Sequence, residues 1–222
     1  MFKDISKKEE TVLKKAFNNW GIFDLYEKLN IIIKPLEKEH LAKFEGKFRA
    51  GFLKKVNLAQ IEKKTPQKNN GENENDKKND GNSEVYVCSN NDQKELAIKM
   101  QPTYSGIAIG NIKSKKFTPN LNFAELIVNH NPKLNYPYAV LENKASNLYI
   151  YGRDIMGNSI VDFFNGIKEN QIMIILNQKK EVLGIGRSRF SNNLITQNDK
   201  IVIDNVQDIG TYYLKEENRY NL

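Results

Sequence analysis

Short apolar runs separated by turn residues fill the sequence from residue 138 onward, and their spacing limits the fold more than any other feature. Runs rich in Ile, Val and Leu, with Asn, Gly and Lys between them, predict short strands. The predicted strands are 139–141, 148–151, 160–164, 172–176, 182–190 and 201–206, with a short helix at 152–160. Many short strands with little helix predict a small mixed or closed β-barrel.

The first 136 residues mix helical and strand patterns and predict a separate α/β unit. Apolar side chains recur every three to four positions over 5–29, where Ser6 and Glu9 fit a capping box and Gly21 breaks the helix. Further predicted elements are strands at 31–33 and 85–87, a helix at 95–100, a hairpin with arms 106–112 and 116–118, and a helix at 123–127 capped by Asn122. The spacing of Phe44, Phe48 and Phe52 fits a helix face or two strands, and strands are favoured.

The stretch 131–137 is rich in Asn and contains two prolines, which are typical of a connecting loop, so it predicts a domain boundary. The predicted fold class is therefore α+β. An N-terminal α/β domain covers residues 1–136, and a C-terminal mixed β-barrel domain covers residues 137–222.

Residues 63–84 contain no large apolar side chain. Such a stretch cannot contribute to a hydrophobic core, so we expect it to be disordered. It is either an expanded surface loop or a loop that faces RNA, and the surface loop is favoured.

Composition excludes several classes of protein. One cysteine, Cys88, and two distant histidines, His40 and His130, cannot form an internal disulfide or a cysteine- or histidine-rich zinc site, so no metal is expected. The longest apolar runs fall far short of the ~20 residues of a membrane span, and the N-terminus lacks the apolar core of a signal peptide. We therefore expect a cytoplasmic protein with no membrane partner.

Net charge is compatible with a polyanionic partner but is unevenly distributed. The chain carries +7 overall; residues 1–136 hold 24 basic and 17 acidic residues, whereas residues 137–222 hold 10 of each. Solubility alone explains such a charge about as well. Any RNA binding by the C-terminal half must depend on a local patch.

Signatures of enzymes are missing from the sequence. Gly184-Ile185-Gly186 lacks the third glycine and the helix of a dinucleotide-binding loop, and neither a phosphate-binding P-loop nor a Gly-x-Ser-x-Gly elbow occurs. Asp154, Asp162 and Asp204 are scattered. The sequence predicts no covalent chemistry and no cofactor.

Two segments of the C-terminal half, LYIYGRDIMGNSIVDF (148–163) and GIKENQIMIILNQKKEVLGIGRSRF (166–190), resemble a PUA domain, a module named for pseudouridine synthases and archaeosine transglycosylases. The final segment, with Asp208, Gly210, Tyr212, Tyr213, Leu214 and Lys215, is similar to the Asp-x-Gly-x-Tyr-Leu-Arg of the nuclear import protein seven family. VYVCSN (85–90) and SGIAIGNIKSKKFTPNLNFAELI (105–127) resemble the N-terminal half of that family, and YGRD (151–154) resembles its archaeal form. Departures are Lys215 in place of Arg, Gly110-Asn111 in place of Gly-Lys, and the insert 63–84.

The resemblance implies an RNA-binding accessory factor in ribosome biogenesis, acting on pre-rRNA of the large subunit, with other assembly proteins as possible partners. The alternative is an accessory or non-catalytic relative of a PUA-containing tRNA-modifying enzyme. A third possibility is a protein-binding adaptor that uses the N-terminal apolar face.

The resemblance also implies a surface for RNA along the short helix, the loop after it and the neighbouring strands. The predicted RNA-binding residues are Arg153, Gly157, Asn158, Lys168, Arg187, Arg189, Lys215 and Arg219. Arg187 and Arg189 alternate and should share a strand face, and Gly157 would allow a phosphate close to the backbone. Arg153 could equally pair with Asp154 or Asp162, and the two strand arginines could equally form a solvated outer face.

Two further sets of residues have an open role. Tyr149, Tyr151, Tyr212 and Tyr213 could stack on bases, although a core role is favoured for most of them. Lys113, Lys115 and Lys116 form the densest ordered basic cluster of the N-terminal half. They could contact rRNA phosphates or an acidic partner, or only keep a turn solvated.

Overall fold

The computed structural model describes residues 1–36, 82–197 and 199–213, without the side chains of Asn193, Tyr212 and Tyr213. The predictions for 44–61 and for most of 63–84 lie outside the described residues. The last two residues of the predicted insert, Ser83 and Glu84, are within a strand and pair with Pro35 and Lys34. Disorder is therefore a wrong prediction for these two residues.

In its described residues, the N-terminal half is a four-stranded antiparallel sheet with helices packed around it. Its elements are α1 (Lys7–Asn19), α2 (Phe23–Tyr26), β1 (Asn30–Pro35), β2 (Ser83–Cys88), α3 (Asn91–Met100), β3 (Ile107–Lys113), β4 (Lys116–Pro119) and α4 (Leu121–His130). The strands lie in the order β1-β2-β3-β4. Within the described residues, the predicted order of helices and strands in this half is confirmed.

Side-chain caps fix the starts of helices α1 and α4. The capping box at α1 is confirmed: the Glu9 amide donates to the Ser6 hydroxyl, and the Glu9 carboxylate accepts from the Ser6 amide at 3.0 Å. The cap of α4 is Asn120, whose side chain accepts from the Phe123 amide, so the predicted Asn122 cap is wrong. Asn122 donates instead to the Ala108 carbonyl at 2.8 Å.

The C-terminal half is a six-stranded sheet that curls into a nearly closed barrel, which confirms the predicted α+β fold class. Its elements are β5 (Tyr138–Leu141), α5 (Asn143–Ile150), β6 (Ile155–Met156), β7 (Ile160–Phe163), β8 (Ile172–Leu176), β9 (Val182–Ser188), β10 (Ile201–Asp208) and α6 (Gly210–Tyr213). The strand order is β6-β10-β9-β8-β5-β7, and only the β5–β8 pair is parallel. The end strands β6 and β7 are joined by the single 3₁₀ turn Gly157–Ser159, which brings the edges together.

The predicted strand at 148–151 and helix at 152–160 are wrong. Residues 143–150 form helix α5, and the stretch after it contains β6 and the 3₁₀ turn. The aromatic and branched side chains of 148–151 suggested a strand, yet Ala145, Ser146 and Tyr149 are buried at helical spacing. Packing of this face against the barrel decides in favour of the helix, as tertiary contacts often do over local preference.

One apolar cluster runs through both halves of the chain. It joins Phe17 and Phe123 of the N-terminal half to Val140, Ile174 and Ile185 of the barrel. Helix α4 lies between the halves and contacts both β3 and β9. The division at residue 136 therefore separates two sheets, but their side chains share a core that holds them in a fixed relation.

Candidate nucleic-acid interface

The end of helix α5 positions Arg153 beside strand β10. The Arg153 amide donates to the Leu148 carbonyl at 3.2 Å and closes the helix. Asn205 of β10 then ties down both sides of this turn: its amide donates to the Asp154 carboxylate at 3.0 Å, and its side chain donates to the Tyr149 carbonyl at 2.9 Å. Arg153 is consequently exposed on a turn that is anchored to the sheet.

Arg187 and Arg189 both lie near the carboxylate of Asp204, on the outer side of the barrel. In the β9–β10 register Arg187 lies directly opposite Asp204, so the two side chains share a face. The Arg189 Nε donates to Asp204 Oδ1 at 2.6 Å, and its Nη2 lies 3.6 Å from Asp154 Oδ2. The prediction that the arginines share one face agrees with this arrangement. We call Arg153, Arg187 and Arg189 the arginine face.

Strand β9 ends at Ser188, short of the predicted residue 190, so Arg187 lies in the strand and Arg189 directly after it. The two arginines differ in their electrostatic surroundings. Asp204 and Asp154 both balance the charge of Arg189, whereas no carboxylate of the described residues forms an ion pair with Arg187. Both arginine side chains remain accessible to solvent. The sequence did not indicate these acidic neighbours, because the strand register decides which residues lie opposite each other.

Asp154 and Asp162 were the candidate partners of Arg153. Asp154 accepts from the Asn205 amide and pairs with Arg189, while Asp162 accepts from the Tyr138 hydroxyl at 3.0 Å. Both carboxylates therefore also contact other groups of the barrel.

The loop between β7 and β8 brings Lys168 to the end of β9. The Asn170 amide donates to the Ser188 carbonyl at 2.8 Å, and the Ser188 amide donates to the Gln171 carbonyl at 2.9 Å. The Lys168 amide is held by the Gln171 side chain at 2.7 Å, and Lys168 itself is exposed. This cation thus lies on a loop fixed to the strand that carries the arginines.

Gly157 has a different role from the one predicted. It is buried, and a Cβ at this position would overlap the backbone of Gln197. The close approach is therefore made by the protein's own chain, so the expectation that a phosphate occupies this space is wrong. Its neighbour Asn158 is exposed.

An apolar pair beside this surface was missed from the sequence. Ile201 of β10 pairs with Met156 of β6, and the two are 40% and 39% exposed. The Gly157 amide donates to the Lys200 carbonyl, and the Arg189 amide to that of Val202. Ile201 therefore directly follows the exposed Lys200 in the chain, and the backbone of the exposed Arg189 binds the next residue, Val202. The available signal was the apolar run Ile201-Val202-Ile203, which directly follows Lys200.

Tyr149 is part of the core, which is the role that the sequence analysis favoured for most of the tyrosines. It is 1% exposed, and its hydroxyl donates to the Ile185 carbonyl at 2.9 Å. Burial raises the pKa of Tyr149 well above its ordinary value. Tyr151 is half-buried at the end of α5. Lys215 and Arg219, together with the side chains of Tyr212 and Tyr213, lie outside the described residues.

Few side chains of the described residues are arranged for catalysis or for binding a metal ion. No group of three or more His, Cys, Asp or Glu residues in them could hold a metal ion. Gly184, in the dinucleotide-like motif, packs against the Gln207 carbonyl and the Tyr149 ring. Burial raises the pKa of the Cys88 thiol, which opposes formation of a reactive thiolate. Among the described helices, none is long and apolar enough to cross a bilayer.

Comparison with known proteins shows that the C-terminal barrel has the fold of a PUA domain. Residues 137–218 match the family model described as the UPF0113 PUA domain. A UPF0113 protein from Archaeoglobus fulgidus is 29% identical over 139 residues, which are 62% of this chain and 75% of that protein.

Two solved structures share the overall fold. A hypothetical protein from Pyrococcus horikoshii aligns with a TM-score of 0.56 and 13% identity over 94% of each chain. A conserved PUA domain protein from Thermoplasma acidophilum aligns with a TM-score of 0.53 and 11% identity over 99% of this chain and 98% of that one. At these identities the likeness concerns the fold, and it extends over the N-terminal sheet as well as the barrel.

Proposed function

We propose that this protein binds unpaired RNA on the arginine face of its PUA-type barrel. The observation that carries the proposal is that Arg187 and Arg189 lie around Asp204, while Asp154, the residue after Arg153, approaches Arg189 to 3.6 Å on a turn held by Asn205. Guanidinium groups on an ordered surface can bind phosphates bidentately. The barrel has no net charge to attract RNA, so this local arrangement supplies the attraction.

The neighbours of each cation determine how strongly it should contact an RNA phosphate. Arg187 is the primary phosphate ligand because no described carboxylate pairs with it, and Lys168 and Arg153 extend the contact along the loop and the helix end. Arg189 contributes less while Asp204 and Asp154 hold it. The exposed Ile201 and Met156 offer an apolar contact to a base that is not paired.

We further propose that the bound RNA is pre-rRNA of the large subunit and that the protein is an accessory factor, as the nuclear import protein seven family is. The supporting observation is the resemblance over residues 85–222, together with a fold that leaves Tyr149 and the glycines of β9 in structural roles. On this proposal the protein positions RNA or recruits other assembly proteins and performs no covalent step.

Fluorescence anisotropy with a labelled U-rich RNA, measured with the full chain over a range of salt concentrations, tests the binding surface. Replacing Arg187 and Arg189 together by Ala should weaken binding and reduce the salt slope by about one to two units, since each phosphate contact contributes roughly 0.7. The matched control is Lys179→Ala with Lys180→Ala, which removes two exposed charges from the β8–β9 turn. Equal losses in both double variants would contradict the assignment and indicate diffuse attraction.

Crosslinking in cells followed by sequencing of the bound RNA tests the identity of the ligand. Enrichment of large-subunit pre-rRNA is the expected result, whereas enrichment of tRNA would favour the relative of a tRNA-modifying enzyme. Mass analysis of RNA incubated with the purified protein should find it intact, and a modified base would refute the non-enzymatic proposal.

A further inference from the structure

The tip of the β3–β4 hairpin carries three lysines within four residues. Lys113, Ser114, Lys115 and Lys116 are all exposed, and Lys113 lies directly opposite Lys116 in the strand register. The tip therefore concentrates positive charge on one exposed turn.

The backbone of the same turn is also unusual for its residues. Ser114 and Lys115 have φ angles of +48° and +61°, a left-handed conformation that two-residue hairpin turns normally fill with Asn and Gly. A side chain longer than that of Gly costs free energy in this conformation. The chain nevertheless places a lysine there, where its ammonium group extends into solvent. Lys180 of the β8–β9 turn has the same conformation, with a φ of +63°, so the number of lysines rather than the backbone distinguishes this tip.

The arm that carries the tip is rigid. Ile112 and Phe117, one residue inside the tip on each strand, are cross-strand partners and belong to the apolar cluster shared with the barrel. The Phe117 ring contacts Phe123 of α4 edge to face at 5.1 Å between centroids. Helix α4 in turn packs on β9, which carries Arg187. The lysines thus have a fixed position relative to the arginine face.

We propose that this hairpin tip is a second RNA-binding site that contacts phosphates of the same RNA strand held by the arginine face. The proposal rests on the function proposed above. Lysine ammonium groups act as point charges for phosphates, and the four tip residues include no aromatic ring or guanidinium to read a base. The contact is therefore independent of sequence and lengthens the RNA footprint beyond the barrel.

Replacing Lys113, Lys115 and Lys116 together by Gln in the full chain tests the second site. Two U-rich RNAs serve as probes: one of about 8 nucleotides, within the footprint of a single small domain, and one several times longer. The triple variant should bind the long RNA with a salt slope lower by about two units, since each of three contacts contributes roughly 0.7. Binding of the short RNA, which occupies the arginine face alone, should change little.

The matched control replaces Lys7, Lys8 and Lys15 on the exposed side of α1 by Gln, which removes the same charge from another surface of the N-terminal half. Thermal unfolding establishes that each variant is folded. Equal effects of the two triple variants on the long RNA, or equal effects of the tip variant on both RNAs, would overturn the second site. If the wild-type protein binds neither RNA, the proposed function itself fails.

Discussion

Replacing Asp204 by Asn should strengthen RNA binding, because Asp204 holds an arginine that could otherwise contact phosphate. Arg189 Nε lies 2.6 Å from Asp204 Oδ1, and its Nη2 lies 3.6 Å from Asp154. Asn keeps the shape and the hydrogen-bond acceptor of Asp204 but removes its charge. Arg189 then retains one partially shielding carboxylate, Asp154, and is free to turn toward the RNA.

The size of the effect follows from the geometry. The side chains of Arg189 and Asp204 are 42% and 37% exposed, so their ion pair is a surface pair that contributes only about 0.2–1 kcal/mol to stability. The variant should therefore fold with nearly the wild-type melting temperature. One added phosphate contact should make the salt slope steeper by about 0.7. The ratio of the variant's affinity to the wild-type affinity should therefore fall by about 2.6-fold when the salt concentration rises fourfold.

Anisotropy titrations with a U-rich RNA at several salt concentrations measure this slope. Asp162→Asn is the control, because it removes the same charge from another exposed position of the barrel, on β7. An equal gain in the two variants would show that only the total charge matters. Weaker binding of the Asp204 variant would refute the idea that this carboxylate competes with RNA for Arg189.

Three further predictions concern the fold. A Cβ on Gly210 would overlap the Ile150 carbonyl, so Gly210→Ala should lower the free energy of unfolding by about 1–3 kcal/mol in urea titrations. The buried Tyr136 hydroxyl has no hydrogen-bond partner among the described residues, so Tyr136→Phe should leave the melting temperature unchanged or raise it. Replacing residues 63–81, which lack large apolar side chains, by a short Gly-Ser bridge should barely change the melting temperature. Extending that deletion through Ser83, which is 2% exposed within β2, should lower it.

Local patterns in the sequence determined the type and order of most elements. The Ser6–Glu9 box begins α1, the turn after Lys113 separates β3 from β4, and the apolar runs near 172, 182 and 201 became β8, β9 and β10. These features depend on interactions between residues a few positions apart, which the sequence displays directly. The alternation of Arg187 and Arg189 was readable for the same reason.

Tertiary packing decided the rest. Residues 148–150 belong to a helix because Ala145 and Tyr149 bury one helical face on the barrel, against the strand-like composition of the segment. The pairing of β9 with β10 brought Asp204 opposite Arg187 and within reach of Arg189, and the fold of the chain set Gln197 against Gly157. Such contacts join residues far apart in sequence, and the strand register that creates them is chosen by the burial of whole faces. The sequence by itself thus determined that Arg187 lies on β9 with Arg189 directly after it, whereas only the tertiary structure decided which of the two a carboxylate holds.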